Sequence, residues 1–143
     1  CQIGVESTII NLLSKPTILR FGGLDISKIE NILKKKVLIK TNSKKKNAPG
    51  QFPLHYSPGI PLRINAKKPK KNEAFVLIKK RKKSFKNYYY LSEKSNLQQS
   101  AKNFYTLLRK IKKDGYKMIA VERIQNKGIG KTINDRLSRA SKY

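Results

Sequence analysis

Residues 88–121, YYYLSEKSNLQQSAKNFYTLLRKIKKDGYKMIAV, decide the fold. They open with a strand-like run at 88–91. Leu97, Ala101, Phe104, Leu108 and Ile111 then recur at i, i+4, i+7, i+11 and i+14, a single apolar stripe that predicts a helix ended by Asp114-Gly115. Residues 118–121 read by composition as a short buried strand, and a last helix is expected from Gly130 through Ile133 and Leu137. Strand, helix, strand, helix in that order favours an α/β layer with at least one parallel strand pair.

Upstream, residues 62–65 and 74–78 are two further expected strands. The very basic KKRKKSFKN, residues 79–87, separates the second from Tyr88 and reads as a hairpin-like loop in water. With Tyr88, Tyr89 and Tyr90 behind it, the same run could hold RNA by charge and stacking, although no RNA-module signature is present. Residues 41–61 have no period of 2 or 3.6 and carry Pro49, Pro53, Pro58 and Pro61, so they read as a semi-rigid, Pro-rich linker. Before it, 8–13 and 17–20 are expected strands with a turn at Ser14-Lys15-Pro16. Asp25 is expected to cap a helix carrying Ile26, Ile29, Ile32 and Leu33, with another strand at 37–39.

Composition bounds the rest. The chain has 143 residues, 38% of them hydrophobic, with no apolar run long enough to span a bilayer. Cys1 is the only cysteine, so an intrachain disulfide is excluded and a reducing, cytoplasmic setting is the default. The formal charge of +26 attracts polyanions, or else reflects Lys used freely on solvated faces. The chain opens on Cys1 without a signal peptide and is expected to be a piece of a longer protein.

Four stretches could carry chemistry. In GVESTII, residues 4–10, the hydroxyls of Ser7 and Thr8 sit at a strand mouth, where they bind an anion or simply satisfy backbone groups. Arg20 follows a strand and precedes Gly22-Gly23, so its guanidinium emerges where backbone can approach a ligand, or pairs with a carboxylate. In APGQFPLHYSP, residues 48–58, Tyr56 could cover a ligand; as a linker residue it is expected to bury less than a core residue. His55 is the only histidine and has no partner cluster for a metal. NKGIGKTINDRL, residues 126–137, lacks nucleotide-fingerprint spacing and reads as a glycine turn into a helix, with Asn134, Asp135 and Arg136 closing its polar face.

Taken in order, GVESTII, ILR-x-GG, APG-xxxx-HYSP, AKNFYTLLRKIKKDGY and GIGKTINDRLSRASK resemble the long form of threonylcarbamoyl-AMP synthase along the whole chain. The resemblance implies an α/β fold in three parts: residues 1–40 as the tail of a YrdC-like catalytic domain, 41–61 as a linker over the active site, and 62–143 as a small Rossmann-like α/β domain. It implies that Ser7 contacts L-threonine and that Arg20 and Tyr56 contact ATP. The implied activity is a nucleotidyltransferase step on L-threonine, bicarbonate and ATP, with magnesium, serving the threonylcarbamoyladenosine modification of tRNA. Partners would then be tRNA or other tRNA-modification proteins, with no membrane. The sequence departs from the family pattern at Phe21, where Pro is usual, and at Gln51, where Met is frequent. The family's early basic motif and Ser-Ala-Asn-type segment are not in these residues, so the chain alone is expected to be inactive. The alternative is a basic RNA-binding or scaffold module.

Overall fold

The computed structural model describes residues 4–41 and 56–141. The linker residues Pro49, Gln51, Pro53 and His55, and Cys1, lie outside the described residues. Two sheets are present among the described residues. The first joins β1 (Ile9–Asn11), β2 (Thr17–Arg20) and β3 (Leu38–Ile39) in the order β1-β2-β3. β1 runs antiparallel to β2, with a register shift between Ile9 and Ile10, and β3 lies parallel to β2. Between them α1 (Ile26–Leu33) starts as its sequence predicts, with the Asp25 side chain accepting from the Ser27 N–H.

The second sheet contains β4 (Leu62–Arg63), β5 (Glu73–Leu77), β6 (Tyr88–Tyr90) and β7 (Met118–Val121), all parallel, in the order β4-β7-β5-β6. It is the α/β layer expected from residues 88–121. α2 (Leu97–Lys113) is capped by Asn96, whose side chain accepts from the Gln99 N–H. Lys110, Lys112 and Lys113 in its last turn complement the helix dipole, and Gly115 at φ 88° turns the chain away. α3 (Ile129–Ala140) follows β7.

Period-2 alternation sorts the strand residues between two faces. Ala74, Val76, Ile119 and Val121 join Ala101, Phe104, Leu108 and Ile111 of α2 and Ile133, Leu137 and Ala140 of α3 in the main core. Each large side chain so buried contributes roughly 1.5–3 kcal/mol. Phe75, Leu77 and Ala120 point the other way and cluster with Ala66, Tyr88 and Tyr90.

The loop after β5 is exposed, as its charge predicts, but it is no hairpin. β5 and β6 are parallel, with Phe75 opposite Tyr88 and Leu77 opposite Tyr90. Parallel pairing requires the chain to travel back along the strand, and the return path carries Phe85 onto Tyr88 at 4.9 Å between ring centroids. Tyr88 also meets Phe75 at 5.5 Å. These rings close the second face of the sheet.

Candidate functional site

The site begins where the strand-mouth segment Glu6-Ser7-Thr8 meets the turn after β2. A Cβ built on Gly22 would stand 2.1 Å from the Thr8 N and 2.2 Å from the Ser7 carbonyl carbon, so only glycine fits there. The two segments are joined by three hydrogen bonds: Gly23 N–H to the Glu6 carbonyl at 3.2 Å, Thr8 Oγ1 to the Leu24 carbonyl at 3.1 Å, and Arg20 Nε to the Ser7 carbonyl at 3.1 Å. Ser7 and Arg20 therefore sit together, with the Ser7 side chain exposed. The close approach that the glycines permit is made by residues 6–8 of the chain itself. Thr8 satisfies a backbone carbonyl, the simpler of its two readings.

α3 grips this junction from the other side. Thr132, Arg136 and Arg139 lie at i, i+4 and i+7, one helical stripe, and all three are buried. Thr132 Oγ1 donates to the Gly22 carbonyl at 2.7 Å. Arg136 donates from Nη1 to the Phe21 carbonyl at 3.2 Å, and from Nε to Glu6 Oε2 at 3.0 Å, with Nη2 on the same oxygen. Arg139 donates to the Thr41 carbonyl at 2.7 Å and pairs with Asp135 at 3.0 Å. The expectation that Asn134, Asp135 and Arg136 merely close a polar face is thus overturned. Arg136 is 0% exposed, because the Glu6 carboxylate before β1 and the Phe21 carbonyl after β2 receive its donors. The stripe was readable as a second i, i+4, i+7 series beside Ile133, Leu137 and Ala140, yet nothing local names its partners.

Tyr56 completes the cluster. Its ring lies 4.9 Å from the Arg136 guanidinium carbon and stacks on Tyr105 at 5.7 Å. It is 4% exposed and shares the main core with Val5, so this linker residue is buried as deeply as core residues are. Glu6 and Arg20 both act electrostatically on its phenol. Ser7, Arg20 and Tyr56 are therefore neighbours around Glu6 and Arg136.

Burial alone would raise the Glu6 carboxyl, but the hydrogen bond and charge of Arg136 outweigh it and hold the group below its ordinary value. Burial pushes the Tyr56 phenol up, and that of Tyr105 as well. Burial opposes the charge on Arg136, yet the hydrogen bond and charge of the Glu6 carboxylate favour it. The cluster is thus a paired, partly dry ionic group set against two rings.

A cavity of about 690 Å³ lies elsewhere, lined by Lys86, Tyr89, Lys110, Asp114, Tyr116 and Lys117 among others. None of Ser7, Arg20 or Tyr56 lines it. Among the described residues no three His, Cys, Asp or Glu side chains converge as a metal site requires. No helix among them is long and apolar enough to cross a membrane.

The family described as threonylcarbamoyl-AMP synthase, C-terminal domain, matches residues 24–142. A threonylcarbamoyl-AMP synthase from Pyrococcus abyssi is 28% identical over 163 aligned positions, covering 99% of this chain and 47% of that protein. The crystal structure of P. abyssi Sua5 complexed with L-threonine superposes with a TM-score of 0.82 at 26% identity, over 99% of this chain and 47% of that one. A variant of P. abyssi Sua5 with a His-Tyr pair changed to Ala superposes at 0.73 and 24% identity, over 99% and 46%, and bears on the fold alone. The chain spans about half the length of the curated relative it matches. With most of its residues under one family description and the same α/β architecture in its structural relatives, the chain belongs to the threonylcarbamoyl-AMP synthase C-terminal domain family.

Proposed function

We propose that the protein to which this chain belongs is an L-threonylcarbamoyladenylate synthase. The observation that carries the reading is the superposition, at a TM-score of 0.82, on a Sua5 structure complexed with L-threonine. In the reaction the threonine amine and bicarbonate give an N-carboxy threonine and water. A carboxylate oxygen of that carbamate then attacks the α-phosphorus of ATP, the bond to the β-phosphate oxygen breaks, and pyrophosphate leaves.

In this reading residues 1–40 complete a YrdC-like catalytic domain, 41–61 cross its active site, and 62–143 form the small Rossmann-like domain. Ser7, exposed at the strand mouth, contacts the threonine substrate. Arg20 offsets charge building on the ATP phosphates, and Tyr56 bonds the nucleotide from the linker. Magnesium would arrive held by those phosphates. The product serves tRNA modification in the cytoplasm, and the 143 residues alone are inactive.

Contact with tRNA is a second role, favoured by the exposed lysines of the loop after β5. The rings beside that loop are engaged with one another, so such contact would act by charge and weaken steeply with salt. The test of the main reading is threonine- and bicarbonate-dependent pyrophosphate release from ATP by the full-length protein. Release that needs all three substrates supports it, and none from a folded full-length protein overturns it.

A further inference from the structure

We propose that Arg136 is a positioning residue for the threonine and ATP site. From α3, one guanidinium fixes the residue before Ser7, the carbonyl after Arg20 and the ring of Tyr56. The inference rests on the synthase reading above and assigns the second sheet's helix a part in it.

Three features carry the argument. Arg136 is wholly buried, and a buried ionic group is often no better for stability than well-packed apolar side chains of similar volume. α3 already supplies apolar packing through Ile133, Leu137 and Ala140. What an apolar side chain could not supply is direction: the planar fork serves a carboxylate on one edge and a carbonyl on another, while its face meets a ring. Those three contacts belong to three separate chain segments, and each is the neighbour of a proposed substrate contact or that contact itself.

Second, the segments are coupled through short bonds. Arg20 Nε reaches the Ser7 carbonyl at 3.1 Å, so a shift of Glu6 or Phe21 is passed to both proposed contacts. Third, Arg63 in β4 uses the same fork on the buried carboxylate of Glu73 and on the Lys68 carbonyl, away from Glu6, Phe21 and Tyr56. It is therefore a built-in control for a purely structural role.

The experiment uses the full-length protein and compares Arg136→Lys with Arg63→Lys. Each keeps a positive charge and loses the fork. Arg136→Lys is expected to lower kcat/KM for threonine roughly 10- to 100-fold, since displacement of a contact by about 1 Å costs that much. Arg63→Lys, with a comparable fall in melting temperature, is expected to stay within about twofold of the parent. Folded Arg136→Lys with an unchanged kcat/KM, or an equal loss in both variants, overturns the proposal. Should Arg136→Lys melt below the assay temperature, Glu6→Gln carries the same test: a several-fold loss for threonine supports the proposal, and none overturns it. No pyrophosphate release from the unsubstituted protein overturns the synthase reading and this inference with it. Release from that protein together with unimpaired Arg136→Lys overturns this inference alone.

Discussion

Arg136 and Glu6 stand 130 positions apart in the chain, and two nitrogens of the one close on a single oxygen of the other. The pair makes stability depend on acid. Glu6 is held below its ordinary value of 4.5 against burial, chiefly by Arg136, and Glu73 is held below the same value first of all by its bond from Arg63. A lowered carboxyl binds fewer protons folded than unfolded, so its contribution is complete above 4.5 and is lost as pH falls through the folded values. The urea midpoint should therefore be level near neutrality and drop as pH falls below 4.5. A midpoint unchanged across that window would refute the assignment, and Glu73→Gln should flatten part of the drop.

Thr132→Val keeps the shape of the side chain and removes its 2.7 Å bond to the Gly22 carbonyl. A buried acceptor left unmade costs about 1–3 kcal/mol, to be read from denaturant unfolding of the full-length protein. A loss below roughly 0.5 kcal/mol, the scale of an ordinary surface change, would mean that α3 does not grip this turn.

Gly22→Ala places a methyl where the backbone of Ser7 and Thr8 already stands, 2.1 Å from the nearest atom. Backbone cannot rotate aside, so a cost at the upper end of about 1–3 kcal/mol is expected, with loss of threonine-dependent pyrophosphate release. Retained stability and turnover together would show that the two segments part easily.

Tyr56→Ala is expected to cost stability as well as turnover, because the ring is 4% exposed and lies between Arg136 and Tyr105. Truncation of a buried aromatic costs about 3–5 kcal/mol, against the expectation that a linker residue buries little. Tyr56→Phe separates the two effects. Ring packing survives in it, so a raised KM for ATP at a nearly unchanged melting temperature isolates the hydroxyl, and an unchanged KM removes Tyr56 from the ATP contacts.

Ser7→Ala should leave the melting temperature close to the parent, since the side chain is exposed, while raising the threonine requirement selectively. Weakened use of ATP with an unchanged threonine response would reassign the residue.

The stretch 88–121 was legible because periodicity reports the face a residue turns to the core, and Phe104, Leu108 and Ile111 are buried as their spacing says. Asp25 was legible because a cap bonds two residues away. The β5 to β6 connection was misread for a physical reason: alternation in Phe75, Leu77, Tyr88 and Tyr90 fits either strand direction, and direction is set by the return path of Phe85. Ser7, Arg20 and Tyr56 were nominated from motif and resemblance, and they lie together. Glu6 and Arg136 were not, because a buried ion pair leaves no local mark when its halves are at opposite ends of the sequence. Tyr56 was placed in a Pro-rich linker whose composition says nothing of the Arg and Tyr that receive it.

Synthesis proceeds from the N-terminal side, and side chains that hold the Glu6 carboxylate and the carbonyls of Phe21, Gly22 and Thr41 belong to α3. On the ribosome, then, Ser7, Arg20 and Tyr56 emerge well before the helix that braces their surroundings. The nascent chain carries these proposed contact residues without that support until Thr132 and Arg136 clear the exit tunnel, which makes the cluster a late feature of the chain to mature.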